Sequence, residues 1–590
     1  MKNKKGFTLV ELMTTVSLIS IIAILLIRLT ITLKTIYIDG DMKTTLLTKQ
    51  GTMTDKIYKD LKEKDLSSLT SCGENCVNFN YIDGTKKLKI NESKKLITYG
   101  NYSIKLNDSS YFGTSYIDKY DGDVGDVLSI KIPIYNRMTK GDYGIYITYQ
   151  KDNIEFDNSI VFSVSENIYE EKILNGAYPV YSDNLIPVTI ENNGKVRKAD
   201  ISSKWYSYED KKWANAVVLK ENTSYNKGDE IPESNIESYF VWIPKYSYKL
   251  FDLGNYNNVI NEKPTKSNNK TISIKFGIEN TKDSNNGECT TSLTAGATGN
   301  CKVGDYMTHP AFIAMNSNGL WVGKYETGYN GANSKAEAQQ NSDDSSKIII
   351  KPNVFSWRNI NVKNAFTASY NYLRDNDSHM MKNTEWGAVA YLSFSKYGIN
   401  KEVNINNNSD YKTGYSASDE TDQSNYPGEY GTDDSKTLAY NTETGYKAST
   451  TGNITGIYDM SGGAHEYMAS YISGTYGSSG FASTDTYMGS AYSKYFDTYP
   501  SASSITTYNK RILGDATGEA GPFYNYADND NISRYHNNWY ADASYFVMSS
   551  FPWFYRGGDC NYGVLAGQFY FGRYTGEARG FIDFRIVLTK

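Results

Sequence analysis

Lys5-Gly6-Phe7-Thr8-Leu9-Val10-Glu11-Leu12 opens the most apolar stretch of the chain, and its reading decides how the rest is understood. A short basic leader with Lys2, Lys4 and Lys5 precedes Gly6. Residues 12–33 are apolar except for Thr, Ser and Arg28, and residues 16–27 are broken only by Ser17 and Ser20. Such a segment suits a secretory signal or a plain membrane anchor. Two features argue against both. No small-residue cleavage site follows the apolar run, and Glu11 sits at its mouth, where a charge is costly unless paired.

The basic leader, Gly6, Phe7 and Glu11, at this spacing before a long apolar helix, closely resemble the N-terminus of type IV prepilins and pseudopilins. The resemblance implies that residues 1–6 are a leader cut by a prepilin peptidase between Gly6 and Phe7. It implies methylation of the new N-terminal Phe7. It also implies that Glu11 is the assembly carboxylate, paired with the terminal amine of a neighbouring pilin subunit. A buried carboxylate beside an ammonium is tolerable, whereas alone it is not. Arg28 departs from a clean apolar helix. Snorkelling to the interface and pairing with a Glu elsewhere are both open.

Working outward, Leu46, Met53, Ile57 and Leu61 recur at helical spacing. They predict one long helix over about 7–66, frayed near Asp39-Gly40-Asp41. A sheet over about 77–165 follows. Leu128, Ile130, Ile132 and Ile134 alternate with polar residues, as do Tyr143, Ile145, Ile147 and Tyr149, with a turn-rich segment between them. That pattern predicts an antiparallel hairpin, and residues 160–164 predict a further strand. Residues 7–165 therefore read as a type IV pilin-like module, a long N-terminal helix on an antiparallel sheet.

The whole chain has 590 residues, too many for one ordinary core, so further domains follow. Its net charge of -5 argues against a general nucleic-acid coat. The 53 Tyr make it too aromatic for a disordered chain. Four scattered His and five Cys argue against a His- or Cys-rich metal centre.

Residues 166–590 read as many short strands joined by Gly- and Asn-rich turns. Residues 240–244 and 320–326 are apolar cores among them, 379–397 predict a helix, and 400–453 predict a long surface loop. Four segments carry a second resemblance. They are Trp321-Val322-Gly323-Lys324-Tyr325-Glu326, Asn383-Thr384-Glu385-Trp386-Gly387-Ala388, the stretch from Gly456 to Tyr467 containing Asp459-Met460-Ser461-Gly462-Gly463-Ala464-His465-Glu466, and Tyr555-Arg556-Gly557-Gly558 closed by Gly580-Phe581-Ile582-Asp583-Phe584-Arg585. In this order they resemble the formylglycine-generating (sulfatase-modifying) family. The resemblance covers 316–590 and implies an irregular C-type-lectin-like domain, with 166–315 as its N-terminal extension. The expected fold class is thus α+β, a pilin-like helix on a sheet followed by this lectin-like domain.

The family's oxidase chemistry needs a copper-bound cysteine pair after the Arg-Gly-Gly segment. Here only Cys560 follows, so the expectation is no enzyme. The same fold serves ligand binding in the variable proteins of diversity-generating retroelements, whose binding surface corresponds to 559–580. The resemblance also places a structural calcium on Asp459, Gly462, Ala464 and Glu466, an oxygen donor set suited to a hard cation. Hydrogen bonding within the turn is the alternative. His465 reads as packing.

Cys72 with Cys76, and Cys289 with Cys301, read as two local disulfides in an exported chain, leaving Cys560 buried or as a free thiol. The C-terminus is the most aromatic region, and Tyr562, Tyr570 and Tyr574 are the candidate exposed binding residues, because Tyr gives large contact area at low entropy cost. These readings predict a minor pilin-like surface protein. Its N-terminal helix lies in the cytoplasmic membrane before assembly, and its C-terminal domain stands outside on the cell surface or pilus. A surface glycan or protein is the expected ligand, with adhesion at or near the tip and no nucleic acid. A structural or priming pseudopilin, or an oxidase, are the rival readings.

Overall fold

A computed structural model describes residues 44–589 with internal gaps, the longer being 161–170, 252–263, 282–305, 418–436, 500–513 and 521–537. Gly6, Phe7, Glu11, Arg28, Cys289, Cys301 and the strand expected beyond residue 160 lie outside the described residues. No helix among the described residues is long and apolar enough to cross a membrane. The chain divides into two compact units, Met1–Ile168 and Tyr169–Lys590.

In the first unit a helix spans residues 44–63. Its stripe of Leu46, Met53, Ile57 and Leu61 is buried and shares one apolar core with Val77, Phe79, Leu88 and Ile97. Polar groups fix the same contact. Asp60 on the helix is buried and accepts hydrogen bonds from the Tyr99 hydroxyl at 3.0 Å and from Lys86 Nζ at 2.5 Å. The helix ends earlier than the periodicity predicts. Asp65 takes a positive φ of 50°, and Leu66 already begins a strand. The sheet likewise starts at Leu66 rather than near 77, because Leu66 and Leu69 bury against the strand Cys76–Tyr81.

Six strands run in the order Glu155–Phe156, Leu66–Ser71, Cys76–Tyr81, Gly84–Asn91, Leu96–Tyr99, Tyr102–Lys105. Only the Glu155–Phe156 pairing is parallel. The expected hairpin is present as Gly125–Ile132 against Ile145–Gln150, antiparallel, with Ile145 opposite Ile132 and Ile147 opposite Ile130. Alternation buries Leu128, Ile130, Ile132, Ile145 and Ile147 on one face. Cys72 and Cys76 form a disulfide across the turn between the first two strands of the meander.

The second unit is built on an eight-stranded antiparallel sheet. Its order is Glu230–Ile231, Val196–Lys198, Ile186–Ile190, Asn215–Leu219, Ile236–Pro244, Gly319–Gly323, Ile586–Leu588, His379–Met380. Residues before and after 315 therefore share one sheet. Trp242 faces Trp321 across its centre, with ring centroids 5.2 Å apart. Gly319 permits that packing, since a Cβ there would meet Trp242 at 2.2 Å.

A second sheet of five strands carries the C-terminal aromatics. Asp497–Tyr499, His465–Ile472, Trp553–Gly557 and Gly567–Tyr574 lie in that order, and Ile582–Phe584 pairs in parallel with His465–Ile472. The helix expected from 379 starts at Asn383 and runs to Ser393. His379 and Met380 are a strand instead, held by Val587 and Ile586 opposite. The helix is buried on all sides, so it has no polar face to mark its limits.

The segment expected as a surface loop over 400–453 is partly interior. Val403, Ile405, Asn404, Asn406 and Asn408 are buried, and Tyr415–Ala417 pairs with Thr437–Ala439. Buried Asn is tolerated because its amide is satisfied, as when Asn406 Nδ2 donates to Asp459 and to the Lys412 carbonyl.

Candidate functional site

The aromatic C-terminus forms a layered cluster on the hairpin Trp553–Gly557 and Gly567–Tyr574. At its centre lies His465, buried, with ring centroids of Tyr555 at 4.5 Å, Tyr562 at 4.9 Å, Tyr570 at 5.4 Å and Phe581 at 5.8 Å. Burial pushes its imidazole down to about 3, so it stays neutral and packs as an aromatic ring. Asp559 lies 3.9 Å from its Nε2, accepts from the Asn561 N–H at 2.9 Å, and is pushed up to about 6 by burial.

The three candidate tyrosines separate. Tyr570 is fully buried and departs from the expected exposed ring. Its strand carries core residues on both faces, so polar neighbours in sequence did not mark a surface. Tyr562 and Tyr574 are half-buried and reach the outside. Around Tyr574 stand Phe551, 37% exposed, with ring centroids 6.3 Å apart, and Arg579, whose guanidinium carbon is 5.2 Å from the Tyr574 ring. Arg573 lies 5.8 Å from the Phe551 ring and donates to the Phe546 carbonyl at 2.8 Å. Glu577 pairs with Arg579 at 2.5 Å.

This rim offers flat apolar faces with hydroxyl and guanidinium groups at their edges, chemistry suited to stacking and hydrogen bonding together. Phe551, Arg573 and Arg579 were not singled out by the sequence reading of the rim. The usable signal was Ser549-Ser550-Phe551-Pro552, an aromatic in a tight polar turn closed by the Met548–Phe551 backbone bonds.

The residues expected at a calcium ion sit together around a turn in which Asp459 and Gly462 both have positive φ. Asp459 accepts from the Gly414 N–H at 2.9 Å, from Asn406 Nδ2 at 2.9 Å and from the Glu326 N–H at 3.4 Å. Glu466 is held by Arg585, with Nε to Oε2 at 2.8 Å and a second bond from Nη2. The Gly462 N–H donates to the Gly557 carbonyl, and the Ala464 N–H donates to Glu326 Oε1 at 2.8 Å. Among the described residues no group of three or more His, Cys, Asp or Glu side chains is arranged to hold a metal. Cys560 is buried without a disulfide partner among the described residues, and burial pushes its thiol well up.

Residues 1–27 match the prokaryotic N-terminal methylation motif. No curated protein matches the chain. The motif makes the N-terminus type IV prepilin-like and the chain pilin-like at that end. It implies prepilin peptidase and pilin subunits as partners, and a membrane-held precursor that passes to the pilus or surface.

Proposed function

We propose that the chain is a minor type IV pilin-like surface protein whose unit Tyr169–Lys590 recognises a surface glycan or protein without catalysis, in adhesion at or near the pilus tip. So bulky a unit would crowd a filament if every subunit carried it, which favours a sparse or terminal place. The observation that carries the recognition reading is the aromatic rim of Phe551 and Tyr574 beside Arg573 and Arg579. Its place around the hairpin whose first strand ends in Arg556-Gly557 supports the resemblance to non-catalytic lectin-like binding domains, an argument by fold analogy. The lone buried Cys560 speaks against an oxidase of the formylglycine-generating type.

The test is a screen of the full chain in detergent against glycan arrays and cell-surface and matrix proteins. Saturable binding that falls at least tenfold in Phe551→Ala and Tyr574→Ala supports the reading. Absence of any ligand, with binding to sister pilins intact, moves the assignment to a structural or priming subunit.

A further inference from the structure

The sheet packed on helix 44–63 separates charge by face. Its five antiparallel strands, Leu66–Ser71, Cys76–Tyr81, Gly84–Asn91, Leu96–Tyr99 and Tyr102–Lys105, contain four lysines and no Asp or Glu. Lys86 turns inward with the buried Leu88 and Ile90 and pairs with Asp60 on the helix. Alternation sends Lys87 and Lys89 to the opposite face, where both are exposed. Lys105 is exposed on the same face, since its neighbour Ile104 is buried toward the helix.

Strand register gathers a polar surface around these three. Lys87 stands opposite Asn78, and Asn78 opposite Thr70. Lys89 stands opposite Thr98, and Thr98 opposite Ser103. Asn80 Nδ2 donates to Ser68 Oγ at 3.1 Å and to Thr70 Oγ1 at 3.2 Å, and Thr85 Oγ1 donates to Asn80 Oδ1 at 2.9 Å. These bonds fix amides and hydroxyls on rigid strands, so little side-chain freedom is lost on contact with a ligand.

The acids nearby are placed elsewhere. Asp83 pairs with Lys64, and Asp65 with Lys151. Among the described residues, Glu74 in the disulfide turn and Glu155 on the outermost strand border the face. Protection of a sheet edge accounts for Lys105. It does not account for Lys87 and Lys89, whose strand is paired on both sides.

We propose that this face of the first unit binds an acidic polysaccharide. The lysines meet its carboxylate or sulfate groups, and the Asn, Ser and Thr side chains meet its hydroxyls. Lys87 and Lys89 are about 7 Å apart along their strand, and Lys105 lies two strands away, about 10 Å across the sheet. The charge is therefore spread over the surface, as a chain of repeating anions requires. A single-stranded nucleic acid would call for exposed rings to stack its bases. The rings of these strands turn the other way: Phe79, Tyr81 and Tyr99 are buried in the core, and the Tyr102 hydroxyl donates to the Lys49 carbonyl on the helix.

The experiment measures binding of the full chain in detergent to immobilised heparin, polygalacturonate, neutral dextran and double-stranded DNA. Saturable binding to heparin, polygalacturonate or both is expected, weakening as salt rises, with none to dextran. Heparin alone would identify sulfate as the recognised anion, and polygalacturonate alone carboxylate. The triple variant Lys87→Gln, Lys89→Gln, Lys105→Gln should bind about tenfold more weakly or worse, with a shallower salt dependence. Its melting should match wild type, because all three side chains are exposed. Arg573→Gln with Arg579→Gln should bind both polymers as wild type does. The proposal falls if neither acidic polymer binds, or if the triple variant binds like wild type. It falls if the arginine variant loses the polymer instead, which would place the site on the C-terminal rim. DNA bound as tightly as the polysaccharides would also overturn it.

Discussion

Arg585 and Glu466 form a fully buried ion pair, with Arg585 Nε donating to Glu466 Oε2 at 2.8 Å. The pair ties the C-terminal strand region to His465–Ile472, and Arg585 also donates to carbonyls of Gly323 and Tyr458. Removing one partner of such a pair leaves a buried charge uncompensated. Arg585→Met should destabilise the second unit by about 3–5 kcal/mol in denaturant titration. Adding Glu466→Met should restore part of that loss. Equal losses in the single and double variants would contradict the coupling.

Gly319→Ala tests the tryptophan layer. The new methyl would meet Trp242 at 2.2 Å, against rigid ring atoms in a packed sheet. The expected cost is about 1–3 kcal/mol from overpacking. Thermal denaturation followed by tryptophan fluorescence reads it, and an unchanged midpoint would contradict the packing.

His309 gives a pH prediction. It is fully buried among Tyr246, Tyr248, Phe312 and Tyr391, and burial pushes its imidazole down to about 3. Its Nδ1 accepts from the Ala311 N–H at 3.4 Å, which requires the neutral ring. A folded pKa below the unfolded value near 6.5 means that acid favours unfolding. The contribution is complete above about 6.5 and is lost as pH falls toward 3, reaching about 2 kcal/mol at pH 5. His309→Asn keeps the capping acceptor and removes the titration. Its melting temperature should fall less than that of wild type between pH 7 and pH 5; an equal fall contradicts the assignment.

The disulfide Cys72–Cys76 closes a very short loop. The paired Cys72→Ser and Cys76→Ser variant should cost about 2 kcal/mol, confined to the unfolding of the first unit. Calorimetry that resolves the two units measures this. A shift confined to the second unit would be inconsistent with the local bridge.

Much of the first unit was legible because its pattern is repetitive. Leu46, Met53, Ile57 and Leu61 announce one helix face, and Leu128 to Ile132 with Ile145 and Ile147 announce a hairpin. The strand at Leu66 was not legible, since two leucines three apart look like one more helical turn. In the second unit, Asn404, Asn406 and Asn408 read as loop residues yet are buried, because satisfying an amide depends on partners distant in sequence. Tyr570 and Asp583 show the same limit. Neither the all-round burial of the one nor the missing donors of the other can be seen before strands from separate segments are brought together.

The most direct test of the pilin-like assignment is mass spectrometry of the N-terminal peptide from protein in the sheared surface fraction of producing cells. The account predicts a mature chain beginning at methylated Phe7, recovered with pilin subunits, and lost from that fraction in Glu11→Ala. A surface protein that still carries residues 1–6, or one cut beyond the apolar segment, would contradict it.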